Sequence, residues 1–224
     1  MIVNEKFFEE EVESELQLLG WEKLTDKNFY RNDYAQVINF KVLNESIQRI
    51  NNIAEDKAEL VIREINKNID SWENLNIKGM EIINNGIRIY DEIEERNLTI
   101  KLISENVDEN IFSYYRQFEI TDGYNKKRIP DIVLFINGLP VAVLELKQPL
   151  ANENIEDAFK QNESLKYFKP ELWYFNVINF VSNRTSSKYG STTSGLKHFY
   201  GWNNWNLEKG EKTKNKLISL LVNY

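Results

Sequence analysis

The sequence predicts an α/β fold, a central mixed sheet flanked by helices and preceded by a helical N-terminal region. Three observations predict it. PDIVLFI and VAVLELK, on either side of an Asn-Gly step, are near-continuous apolar runs of the kind found in strands buried on both faces. Apolar residues at helical spacing occupy 4–19, 45–68 and 152–168. From residue 116 onward the order reads strand, strand, strand, helix, strand, which alternates in the manner of layered α/β domains.

Each element has its own signals. In residues 4–19 Asn4 can cap, Phe8, Val12, Leu16 and Leu19 form one face, and Gly20 ends the helix. Ile47, Ile50, Ile53, Leu60, Val61 and Ile65 mark a second helical stretch over 45–68. Residues 79–104 alternate enough, at Ile87, Ile89, Leu98, Ile100 and Leu102, to predict short strands joined by an acidic turn. RQFEIT reads as a strand, and the two buried runs follow it. The amphipathic helix over 152–168 turns Ile155, Ala158, Phe159, Leu165 and Phe168 inward. YFNVINFVSN is the next strand, RTSSKYGSTTSG a polar loop, and the last residues close with a helix.

Composition removes whole classes of chemistry. The chain has 224 residues, 42% apolar and 28% charged, with no cysteine and a single histidine, His198. Disulfide frameworks, thiolate zinc sites, iron–sulfur clusters and clustered-histidine metal sites are therefore out. No G-x-S-x-G elbow supports a serine triad on His198. No apolar run approaches the roughly 20 residues of a bilayer span, and the acidic amphipathic N-terminus is unlike a secretory signal, so the expectation is a cytoplasmic protein with no membrane. Residues 1–110 carry 24 acids against 13 bases, whereas 111–224 carry 11 against 15. Only the second half, with Lys126, Lys127, Arg128, Lys160, Lys166, Lys169, Arg184 and Lys188, has the balance to face phosphate; solvated surface charge is the plainer account of the same residues.

The feature that needs explaining is charge inside the apolar runs. Pro130-Asp131 opens one and Glu145-Leu146-Lys147 closes the next, and charged groups there are costly unless paired or bound to metal. Glu145 and Lys147, two apart on a strand, share a face. Asp131 joins them or not according to the turn. A two-residue Asn-Gly loop puts it on the opposite face; a three-residue loop, which Ile136-Asn137-Gly138 suits, puts all three together with the carboxylates' Cβ atoms roughly 5–8 Å apart. Two carboxylates without His or Cys make an all-oxygen site suited to Mg²⁺, and Lys147 beside it would orient water or neutralise developing charge. A functionless buried ion pair fits the bare pattern as well.

The run RIPDIVLFINGLPVAVLELKQP resembles the nuclease signature of the R (restriction) subunit of type I restriction–modification enzymes. NEKFFEEEVESELQLLGWE is similar to that family's opening helix, IFSYYRQFEI to the strand before the motif, AFKQ to the helix after it, and NFVSNRTSSKYGSTTS to the next strand and loop. KLISLLVNY resembles the segment that precedes the helicase motor, and 22–110 match least clearly. The resemblance implies a restriction-endonuclease-like PD-(D/E)xK core and Mg²⁺-dependent cleavage of double-stranded DNA. It implies one nuclease domain over 1–224: an acidic helical part at 1–110, the catalytic core at 111–205, and a helix at 206–224 leading to a motor absent here. By resemblance Asp131 and Glu145 hold the metal with the Leu146 backbone carbonyl, Lys147 assists the nucleophile, and Glu11 matches an acid on the first helix. Gln161 matches the glutamine of a Q-x-x-x-Y motif. The sequence departs from that motif, because Leu165 stands four residues on and Tyr167 six. Tyr167, Arg184 and Lys188 are candidate DNA contacts. The implied partners are methyltransferase and specificity subunits. ATP would serve the motor only: Gly190-Ser-Thr-Thr-Ser-Gly195 has P-loop glycine spacing, but Leu196 stands in place of its lysine. Two other functions are open at this point: a catalytically inert DNA-binding or subunit-docking module, and a phosphodiesterase acting on nucleotides or RNA.

Overall fold

A computed structural model describes residues 5–67, 70–92, 95–124, 126–147, 155–183 and 186–201. The first helix, α1 (Glu5–Leu18), buries Phe8 and Leu16. It ends as the Gly-Trp step requires. Gly20 takes φ +85°, its N–H donates to Gln17 O, and the Trp21 N–H donates to Leu16 O. These two bonds close the last turn around a residue that only glycine adopts without strain, and they send Trp21 into the core. The capping Asn4 lies outside the described residues, as does the helix expected over 206–224.

Strand β1 (Glu22–Leu24) follows, and then three helices, α2 (Phe40–Asn51), α3 (Glu55–Asn66) and α4 (Trp72–Asn85). The single helical stretch expected over 45–68 is thus two helices. The break is at Asn52, which is left-handed at φ +51° and returns its N–H to Gln48 O. The strand expectation for 79–104 holds only in part. Residues 79–85 belong to α4, capped by the Ser71 hydroxyl on Asn74 N, while β2 (Ile87–Asp91) and β3 (Arg96–Ile100) form the antiparallel pair. Inside 79–104 the alternating residues lie at 87–102, and the first seven positions owe their helix to Trp72 and Leu75 upstream.

Strand β4 (Phe112–Arg116) stops at Gln117, which has φ +55°, so RQFEIT is not one strand. Its second half, β5 (Ile120–Thr121), pairs instead with β6 (Lys127–Arg128) in a small hairpin. The two apolar runs are β7 (Ile132–Ile136) and β8 (Leu139–Leu146), and every residue of both is buried, as expected of interior strands. Helix α5 (Ile155–Phe168) carries the chain back to β9 (Ile178–Ser182), parallel to β8. The polar stretch expected as a loop contains β10 (Ser187–Ser191), antiparallel to β9, and β11 (Tyr200–Gly201) borders it. The seven-stranded sheet runs β1-β4-β7-β8-β9-β10-β11 and is mixed, with parallel pairs β1–β4 and β8–β9.

The β7–β8 turn settles the facing problem by a route not expected. It is a two-residue turn, with Asn137 at φ +52° and Gly138 at φ +84°, the left-handed pair that a tight hairpin demands. A Cβ on Gly138 would stand 2.5 Å from Asn39 O. Such a turn alone would put Asp131 and Glu145 on opposite faces. A bulge corrects it: the register passes from Phe135↔Pro140 to Leu134↔Ala142, leaving Val141 unpaired. Pro140 has no N–H for a regular ladder, and the extra residue sits directly after it. From Ile132↔Leu144 the register leads to Asp131 opposite Glu145, on one face.

Candidate active site

The site lies where β7 begins and β8 ends. The end of β4 supports it, since Gln117 N–H donates to Asp131 O (2.7 Å) and Phe118 N–H to Pro130 O (3.1 Å). Arg116, just before, is held on α1 by Glu13 at 3.2 Å, with Glu9 at 3.7 Å and Glu10 at 3.8 Å. Glu9 and Glu13 are buried against the sheet, so α1 clamps the strand that positions Asp131.

Asp131, Glu145 and Lys147 are 7%, 4% and 6% exposed. The Leu146 N–H donates to Asp131 Oδ2 at 2.7 Å, Gln117 Nε2 to Asp131 Oδ1 at 3.2 Å, and the Asp131 N–H to Glu145 Oε2 at 3.4 Å. The two carboxyl groups also lie within hydrogen-bonding reach of each other. Burial pushes Glu145 well above the ordinary carboxylate range, and the neighbouring Asp131 charge pushes it further. Burial raises Asp131 too, opposed by the Leu146 N–H, the Glu145 contact, Lys147 and Gln117. Lys147 lies close enough to favour the anionic form of both, and its own backbone N–H is tied to Ser182 O at 2.8 Å.

Two buried acids in contact cannot both ionise without a cation between them, and a proton shared within the pair answers the same need. An all-oxygen donor set of this kind fits a hard divalent ion. Among the described residues no third acid or histidine forms a three-member cluster with the pair, so Glu11, half-buried on α1, does not join it. The inward acids of α1 are Glu9 and Glu13 instead, because the helix face that packs on β4 carries those positions.

The remaining candidates are scattered. Gln161 is exposed on α5. Tyr167 is 71% exposed in the last turn of α5, edge-on to Trp72 at 6.4 Å. Since α5 starts beyond the acid-bearing end of β8 and returns to the start of β9, that last turn lies away from the pair. Arg184 lies outside the described residues. Lys188 is half-buried on β10, and the row Glu145↔Val181↔Lys188 puts it on the same face as the acids, two strands and roughly 10 Å across. Gln117 went unnoticed in the sequence: a glutamine inside an apparent strand gives no signal until the strand is seen to break there.

The family model for the type I restriction enzyme R protein N terminus matches residues 2–198. The chain is 31% identical over 188 residues to a Methanocaldococcus jannaschii protein named as type I restriction enzyme MjaIXP endonuclease subunit, covering 80% of this chain and 18% of that protein. It is 29% identical over 214 residues to the type I restriction enzyme HindI endonuclease subunit of Haemophilus influenzae, covering 90% of this chain and 20% of that one. The chain thus spans about a fifth of the length of these curated relatives. No helix among the described residues is long and apolar enough to cross a membrane. Among the described residues the matched stretch takes in α1 to α5 and every sheet strand but β11, and the α/β architecture is the restriction-endonuclease-like one that the motif implied. The chain therefore belongs to the family of type I restriction enzyme R protein N-termini.

Proposed function

We propose that this chain is the Mg²⁺-dependent endonuclease domain of a type I restriction enzyme, cutting double-stranded DNA at the Asp131–Glu145–Lys147 site. The contact between two buried carboxyl groups beside a buried lysine is the observation that carries the reading. The printed names of the relatives, endonuclease subunits, agree with it.

Asp131 and Glu145 hold the ion, with the Leu146 carbonyl as a further oxygen donor. Mg²⁺ bound there would polarise the phosphodiester and lower the pKa of water. Lys147 stands next to both acids. Its ammonium orients the attacking water and offsets charge gathering on the phosphoryl oxygens. Gln161 assists from α5, and Arg184, Lys188 and Tyr167 contact the DNA backbone. The chain acts as one nuclease domain over 1–224 in the cytoplasm, within a complex containing methyltransferase and specificity subunits and driven by ATP bound elsewhere.

In the assembled complex, Asp131→Asn and Lys147→Ala should each abolish DNA cleavage while ATP hydrolysis and DNA binding persist. Cleavage that survives either change overturns the assignment.

A further inference from the structure

We infer that Gln117 is a positioning residue for the cation site, holding Asp131 in its ion-binding orientation through its side-chain amide. The inference rests on the reading of the Asp131–Glu145 pair as that site. Three observations meet at this residue. Its backbone is left-handed at φ +55°, a conformation glutamine rarely takes and one that persists where surrounding structure imposes it. That geometry ends β4 and turns both its N–H (2.7 Å to Asp131 O) and its Nε2 (3.2 Å to Asp131 Oδ1) onto a single residue. The other carboxylate oxygen takes the Leu146 N–H at 2.7 Å.

The consequence is orientational. With one donor on each oxygen the carboxylate plane is fixed, and each oxygen keeps a lone pair for a cation. Leu146 N–H, Glu145 and Lys147 are buried around Asp131, whereas Gln117 is exposed. It therefore stands at the solvent side of the pocket, where an ion or a phosphate must enter. Hydrogen-bond partners of ligating carboxylates change metal affinity without binding the metal themselves.

The test is Mn²⁺ titration calorimetry on the purified chain, alongside thermal unfolding in chelator. Gln117→Met keeps the side-chain length and removes the amide; Gln117→Gly removes the side chain and relieves the left-handed backbone. Both should weaken Mn²⁺ binding by about 10-fold or more. Gln117→Gly should do so with an unchanged or higher unfolding temperature in chelator, a separation that a purely structural role would not produce. Affinity within about twofold of wild type in either variant overturns the inference. Asp131→Asn is the control: if wild type binds Mn²⁺ no better than Asp131→Asn, the reading of the pair as a cation site fails, and this inference falls with it. Loss in Asp131→Asn but not in the Gln117 variants overturns the positioning role alone.

Discussion

Two lysines in this protein are buried to nearly the same degree, and their surroundings differ in kind. Lys166, 2% exposed on α5, hydrogen-bonds Glu163 at 2.5 Å and Thr192 O at 2.6 Å, with its ammonium 4.5 Å from the Trp72 ring and 5.6 Å from that of Trp173. One cation meets one anion, a carbonyl and two aromatic faces, and charge is balanced. Lys147, 6% exposed, meets two carboxyl groups that already crowd each other. There the acids outnumber the cation two to one, an excess that a bound divalent cation would more than offset. Burial of a lysine marks nothing by itself; the balance of charge around it separates a structural tie from a site.

Exchanging the roles of these lysines is the sharpest way to break the comparison. Lys147→Ala should abolish DNA cleavage by the assembled enzyme, because it removes a charge-stabilising donor from the site. Its effect on unfolding should be small, because the acids it leaves can share a proton. Lys166→Ala should do the reverse. Removing one partner of a buried ion pair costs about 3 kcal/mol, the low end of the usual range since the Glu163 side chain is 35% exposed. Cleavage per folded molecule should be unchanged. Denaturant unfolding and a single-turnover cleavage assay separate the two; a Lys166→Ala protein that is stable but inactive would erase the distinction.

The same contrast explains what the sequence could and could not disclose. β7, β8 and α5 were legible because their patterns are strong and local, and Asp131, Glu145 and Lys147 stood out as charges inside apolar runs. Their convergence was not legible in detail. The Asn-Gly turn pointed to either face, and the facing came from a bulge after Pro140, which no hydrophobic pattern reports. Gln117 was invisible for a related reason: φ +55° is imposed by contacts to Asp131, fourteen residues away, not by its neighbours in sequence. In the sequence Lys166 is one more basic residue of the second half, since the tryptophans and the Thr192 carbonyl that enclose it come from distant segments. In residues 22–110 the breaks at Asn52 and Ser71 depended on caps rather than periodicity, and the helices there blurred into one another.

Excess acid at Lys147 has a consequence in pH. In the folded protein Glu145 holds a proton well above the ordinary glutamate range, whereas the unfolded chain releases it there. The folded state then binds more protons, so stability without cation is greatest at mildly acidic pH and falls as pH rises through the raised value. In chelator, the unfolding temperature should drop between pH 5.5 and pH 8, and Glu145→Gln should flatten that drop. Mg²⁺ at 100 times its dissociation constant should add about 2.7 kcal/mol, or roughly 5–10 °C for a chain of this size. At a fixed Mg²⁺ concentration the gain should be larger at pH 8 than at pH 5.5, because fewer protons have to be displaced. Lys166→Ala leaves the Asp131–Glu145 pair intact and should keep the wild-type drop; a flattened drop there would mean that the pair is not its source.

A third lysine tests the comparison at its weakest point. Lys188 shares the sheet face and the cross-strand row of Glu145, yet it is only half-buried, two strands away. It is too distant to balance the acids; under the proposed function it would meet a phosphate of DNA lying across that face. Lys188→Ala should leave Mg²⁺ stabilisation intact. It should weaken DNA binding uniformly across sequences and reduce the slope of log affinity against log salt by about 1, the signature of one lost phosphate contact. Fluorescence anisotropy at several salt concentrations reads this directly. An unchanged slope would confine the work of this face to the two carboxylates and Lys147, and the DNA path would then have to cross a different strand.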